Sequence, residues 1–132
     1  MTEVEERATR LLGPVQLRLP AEPSLSRVLR LAASGMASLT GFSVDEIEDI
    51  KIAVSEVLIA LIEHGTGEPV DVEFVVDEHA FTVRGRTDIA SFDVDHPDLI
   101  LCRTVLAGVC AEHGIDLVDS QAQIWAAVHR SG

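Results

Sequence analysis

The stretch from Ser43 to Gly65 constrains this chain more than any other part of it. Ser43 followed by Glu46 is a capping box, and Asp45 and Glu46 suit the positive end of a helix dipole. Ile47, Ile50, Val54, Val57, Leu58 and Leu61 then recur at helical spacing, and Gly65 punctuates the end. Beyond Ile52 the opposite side is apolar as well, with Ala53, Ile59, Ala60 and Ile62. A helix that is apolar on most sides has to be covered on more than one of them. One stripe suits a sheet, and the apolar surface beyond it is expected to serve a protein–protein contact through the helical layer, unless packing against a neighbouring helix takes it up.

The remaining sequence offers those parts. Val15 to Leu19 alternates apolar residues with Gln16 and Arg18, which predicts a half-buried strand stopped by Pro20. Leu25, Val28, Leu29, Leu31 and Ala32 predict a helix from Ser24 to about Leu39, rich in small residues in its second half. Pro69–Val76 and Ala80–Arg86 read as strands joined by a turn around Asp77, Glu78 and His79. The aspartate-rich segment Thr87–Asp98 reads as a loop, Leu99–His113 as a helix, and Ile115–Val118 and Ile124–His129 as strands. Strands and helices fall into runs, so the expected class is α+β: a two-layer sandwich with helices on one face of a mixed sheet. Gly13-Pro14 divides an N-terminal arm, residues 1–13, from a single domain over residues 14–132.

Acidic residues outnumber basic ones 22 to 10, for a formal net charge of −12. Such a surface repels phosphate backbones, which argues against direct nucleic-acid binding, and attracts basic protein surfaces. The longest charge-free stretch, Leu31–Val44, is too short for a membrane span of about 18 or more residues. Met1–Arg10 lacks the apolar segment of a signal peptide, so a soluble, cytoplasmic protein is expected. Cys102 and Cys110, on one predicted helix, are spaced roughly 12 Å apart at 1.5 Å per residue, too far for a disulfide. They read as small core residues, and His79, His96 and His129 show no metal-ligand spacing, so no metal site is expected.

Glu56 is the most informative polar residue. A carboxylate inside a long apolar helix lies either on a solvent edge, in line with Asp49 and Glu63, or in a pocket. In a pocket, desolvation would raise its pKa toward the range of a general base.

The run Ser55-Glu56-Val57-Leu58-Ile59-Ala60-Leu61-Ile62-Glu63-His64, after Gly41-Phe42-Ser43 and Asp49-Ile50-Lys51-Ile52-Ala53-Val54, resembles the N box of the anti-sigma-factor serine kinases. These belong to the GHKL, or histidine-kinase-like ATPase, superfamily. The resemblance implies the Bergerat-type helix–sheet sandwich and assigns Glu56 the position of the family's general base. It also shows what is missing. The family's Mg²⁺-binding asparagine, one helical turn on, is replaced by Ala60, and a methyl group offers no oxygen ligand. Gly85 stands where the family carries the adenine-reading aspartate, with Thr87 and Ile89 in place of two glycines. The glycines of the second phosphate box give way to His96-Pro97-Asp98-Leu99, and the lid segment carries Asp88, Asp93, Asp95 and Asp98.

Three parts of the nucleotide site are thus lost, and the family base Glu56 is expected to be vestigial, with no ATP or Mg²⁺ bound. The resemblance implies a regulatory protein-binding module whose partner is a sigma factor or an anti-sigma antagonist. A working ATP-dependent serine kinase that keeps Glu56 is the alternative. A structural homo-oligomer is the third reading, with monomer or homodimer left open by the residues. His64 carries little weight in this comparison, because Glu63-His64-Gly65 recurs as Glu112-His113-Gly114, and both triplets fit a helix C-terminus.

Overall fold

The computed structural model describes residues 13–131. All but the last residue of the expected N-terminal arm, whose sequence predicts a short helix over Thr2–Leu12 ended by Gly13-Pro14, lies outside the described residues. Five strands and three helices follow: β1 (Val15–Leu19), a 3₁₀ turn (Pro23–Leu25), α1 (Ser26–Leu39), α2 (Val44–His64), β2 (Val70–Val76), β3 (Ala80–Asp88), α3 (Pro97–Val109), β4 (Glu112–Val118) and β5 (Gln121–His129). The α+β class and the helix layer on one sheet face agree with the sequence reading. The sheet itself is a correction. Its order is β1-β2-β3-β5-β4, and every neighbouring pair is antiparallel, where a mixed sheet was expected.

The strand pattern explains why one face is wet. Along β2 the residues Val70, Val72, Phe74 and Val76 are buried, and Asp71, Glu73 and Val75 point the other way. Arg18 pairs with Asp71 and Arg84 with Glu73 across that open face. On the covered face, Phe74 and Phe81 pack with ring centroids 5.3 Å apart, and Phe81 meets Phe42 edge-on at 6.0 Å.

Above this layer α2 lies against the sheet with α1 and α3 flanking it. Its capping box forms as read: the Ser43 hydroxyl accepts from the Glu46 N–H at 3.1 Å, and Glu46 accepts from the Ser43 N–H at 2.7 Å. Ile50, Ala53, Val54, Val57, Leu58, Ala60 and Leu61 are buried, so the broad apolar surface of this helix is used by the fold itself. On α1, the small residues Ala33 and Ala37 are buried where α1 packs beside α2, which accounts for part of the small-residue pattern; Gly35 and Ser38 stay exposed.

Several boundaries differ from expectation. The Pro23–Leu25 turn delays α1 to Ser26. The strand β3 runs two residues into the segment read as a loop, because Thr87 and Asp88 pair with Ala122 and Gln121. The third helix starts at Pro97 and stops at Val109, well short of His113. Ala111 then donates to the Ala127 carbonyl, and Glu112-His113-Gly114 is a strand rather than a helix end. Gly114 is small for another reason: a Cβ there would stand 2.6 Å from the Trp125 indole nitrogen. Gly65 is extended at φ −83° rather than left-handed, and its smallness accommodates Thr87 and the Leu61 carbonyl.

Glu46 gives a pH prediction. Burial pushes its carboxyl up, but the backbone N–H of Ser43, both the N–H and hydroxyl of Ser131, and the Ser43 hydroxyl outweigh this and hold it at about 2 instead of 4.5. A depressed carboxyl stabilises the fold above its unfolded pKa and loses that contribution as pH falls through the folded value. Wild-type stability should therefore fall between about pH 4.5 and pH 2, and Glu46→Gln should flatten that fall in urea titrations at stepped pH.

Candidate functional site

The last turns of α2 carry Glu56, Ala60, Glu63 and His64 at spacings of four, three and one, which places them along one side. Opposite them stand the first turn of α3, with Asp98, and the segment Ile89–His96 that leads into it. Between these elements lies a cavity of about 270 Å³ lined by Glu56, Ala60, Glu63, His64, Asp98 and Leu101, among others. That is below the usual range for small-molecule pockets, about 300–1,000 Å³.

Glu56 is half-buried in this wall, and burial, then the charge of Glu63, raises its carboxyl above the ordinary value. Both readings of Glu56 therefore hold in part: it keeps a wet edge and borders a pocket. Ala60 is 5% exposed and presents only its methyl group. Cys102 lies behind them, its thiol directed at the Glu56 carbonyl at 3.9 Å. Burial and, next, the Glu56 charge push that thiol up to about 11. Burial and then Asp49 push Cys110 to about 12. Both cysteines are free, Cys102 on α3 and Cys110 immediately after it, and neither has thiolate character near neutral pH.

The positions that the resemblance assigns to the two nucleotide boxes are taken up by packing and hydrogen bonds. Gly85 faces α2 from the sheet below, and a Cβ added there would lie 2.7 Å from Leu61 Cδ1 and 2.9 Å from Val57 Cγ1. Thr87 is buried, and its hydroxyl donates to the Pro69 carbonyl at 3.1 Å. Ile89 packs against the core. At the N-terminus of α3 the amides that a phosphate would need are already engaged. The Asp98 N–H donates to His96 Nδ1 at 3.1 Å, and the N–H groups of Leu99 and Ile100 donate to the His96 carbonyl. An anion is served at a helix N-terminus by free amides, and here the Asp98 carboxylate stands beside used ones.

The segment in the lid position folds inward. Phe92 meets the His64 ring edge-on at 6.0 Å, and His96 meets it at 5.0 Å. His64 thus sits under an aromatic cover, a role that the C-terminal capping expectation did not contain. Its Nε2 atom is buried without a hydrogen-bond partner, 4.0 Å from Asp98 Oδ2. The structure brings together Glu56, Ala60, His64 and Asp98, while Gly85 lies beneath α2 and Asp88 turns away to bond Gln121 at 2.9 Å. Phe92 and His96 were missed as site residues. For His96 a signal existed: a cap-capable residue, then Pro, then Asp, is a helix start.

A family profile for the histidine kinase-like ATPase domain matches residues 19–99. The serine-protein kinase RsbW of Listeria monocytogenes serotype 4a (strain HCC23) is 40% identical over 85 residues, covering 61% of this chain and 54% of its own length. RsbW of Bacillus subtilis (strain 168) is 38% identical over 85 residues, covering 61% of this chain and 53% of its own. The chain thus spans about half the length of these curated relatives. Among solved structures, the RsbU and RsbW domains of Rv1364c from Mycobacterium tuberculosis align with a TM-score of 0.70 at 15% identity, over 92% of this chain and 33% of that one. At that identity the likeness concerns the fold.

Proposed function

Since the chain belongs to the histidine kinase-like ATPase domain family, we propose that it works as a protein-binding regulatory module of the anti-sigma type that no longer binds ATP or Mg²⁺. The similarity to RsbW serine-protein kinases agrees with the resemblance drawn from the Ser55–His64 run. The observation that carries the loss of nucleotide is the filled space above Gly85, where Leu61 and Val57 stand in the path of any side chain. Ala60 and the engaged amides of α3 support the same reading. ATP with Mg²⁺ should bind no better than millimolar, and calorimetry giving micromolar affinity would overturn the reading.

The proposed partner is a sigma factor or an anti-sigma antagonist. Val28 and Leu31 on α1 and Ile52 on α2 are apolar residues left exposed on the helical layer, with Leu31 68% exposed. The net charge of −12 suits a partner with a basic contact surface. Association with such a sigma factor should weaken steeply as salt rises from about 0.05 to 0.5 M, and Leu31→Asp should weaken it further while leaving the melting temperature unchanged. No detectable complex at low salt, together with a self-associated species in sedimentation, would favour the homo-oligomer reading instead. Among the described residues no helix is long and apolar enough to cross a membrane.

The placement and raised pKa of Glu56 favour the second reading, a working kinase. That reading expects phosphate transfer to a protein hydroxyl, abolished in Glu56→Gln. On the reading preferred here, Glu56→Gln changes no activity and slightly raises the melting temperature at pH 7, because it removes a charge that burial and Glu63 disfavour.

A further inference from the structure

The sequence spacing of the histidines hides a cluster that the fold creates. His64 ends α2, His96 caps α3, and Asp98 follows two residues later, and one donor atom from each lies within 4.8 Å of the other two. Asp98 Oδ2 stands 4.0 Å from His64 Nε2 and 3.7 Å from His96 Nδ1. We propose that His64, His96 and Asp98 bind a divalent transition metal of the zinc type, with water completing the coordination.

Four considerations carry this. The first is the unpartnered Nε2 of His64. A buried ring nitrogen without a partner is costly, and a bound cation at that position accepts its lone pair. The second is the donor set: two imidazoles and a carboxylate suit zinc or iron(II), whereas Mg²⁺ prefers oxygen ligands. The third is reach. Tetrahedral zinc with bonds of about 2.0–2.2 Å holds its donors roughly 3.4 Å apart, so the cluster needs to close by about 1.5 Å at most. Asp98 is exposed and free to swing, and His96 sits at the mouth of a loop rather than inside a packed element. The fourth is charge: Glu63 and Glu56 line the adjoining cavity, and the chain carries a net charge of −12, which concentrates cations at its surface.

The cost is also visible. His96 Nδ1 now accepts the Asp98 N–H, and a metal on that nitrogen displaces the helix cap and places positive charge at the positive end of α3. Micromolar affinity is therefore expected, rather than the far tighter binding of a fully built structural zinc site. The bound ion would pin the Ile89–His96 segment onto the end of α2 and close the cavity beside Glu56. This proposal stands independently of the protein-partner reading, since no partner residue enters it.

The test is a titration of the whole chain, without nucleotide, with Zn²⁺ and then Co²⁺, followed by calorimetry and by the visible bands of the cobalt form. One ion per chain at micromolar affinity is expected, with Zn²⁺ raising the melting temperature of the wild type. His96→Gln and Asp98→Asn, both on accessible side chains, should each weaken binding at least about tenfold and abolish the thermal shift, and His79→Gln should change neither. Millimolar Mg²⁺ should not compete. Binding no tighter than millimolar, or binding that both variants leave intact, would overturn the assignment, the second result marking adsorption to the acidic surface only.

Discussion

Gly85→Asp, which restores the carboxylate that the related kinases are expected to carry at this position, should unfold the protein instead of restoring nucleotide binding. Gly85 sits mid-strand in β3, in register with Val72 on one side and Ile124 on the other, under Val57 and Leu61 of α2. A Cβ alone would approach those two side chains to 2.9 and 2.7 Å. Both contacts are with side chains rather than backbone, so Gly85→Ala should cost about 1–3 kcal/mol, the usual range for overpacking. The aspartate adds a carboxylate beneath the buried apolar side chains of Val57 and Leu61, which costs several kcal/mol more. Against a total stability of about 5–15 kcal/mol this is enough to leave the variant largely unfolded. Urea denaturation followed by Trp125 fluorescence reads the series directly. A Gly85→Asp variant with the wild-type midpoint would mean that the space above Gly85 opens readily, and the proposed loss of nucleotide binding would lose the observation that carries it.

The second large effect is expected at Arg130. Its guanidinium lies 3.9 Å from the centroid of Phe42, donates to the Thr40 carbonyl at 2.6 Å and donates twice to the Asp77 carbonyl, at 3.2 and 3.3 Å. It therefore ties the α1–α2 connection to the β2–β3 turn from the far end of β5. Thr40 is 1% exposed, so removing the guanidinium leaves its carbonyl with little access to water. Arg130→Ala should cost about 2–4 kcal/mol, because it removes the charged hydrogen bonds and the cation–π interaction together. Arg130→Lys should recover less than half, because an ammonium cannot span both carbonyls with a planar fork. Equal urea midpoints for wild type and Arg130→Ala would show these interactions to be incidental.

How far the residues announced this arrangement depends on the range of the interaction involved. The start of α2 was legible because the Ser43–Glu46 exchange is local, complete within four residues. Glu56 and Ala60 could be paired on paper because one helical turn separates them. The direction of the strands was not legible, since alternation along β2 or β5 is the same whichever way the neighbour runs. Glu112-His113-Gly114 misled for a related reason. The identical local signal closes α2 at Gly65, whereas α3 ends earlier because Ala111 is claimed by Ala127 from a distant strand. The aromatic cover over His64 was equally hidden: Phe92 and His96 reach it only once the segment before α3 folds back over α2.

The strand order has a consequence for the nascent chain. Although β5 follows β4 in chain order, it pairs with both β3 and β4 and is therefore an interior strand of the sheet. A ribosome-bound chain that has extruded everything through β4 holds two unsatisfied strand borders, and α2 then covers a floor with a missing plank. Partners that recognise exposed borders, among them chaperones and other copies of the same intermediate, have their opportunity in that interval. Closure comes with Ala122, Ile124 and Ala126, whose side chains complete the floor beneath the helices. A frameshift or cleavage just after Val118 would thus forfeit the middle of the sheet rather than trim its margin, and such a product is expected to be cleared instead of accumulating as a shortened chain.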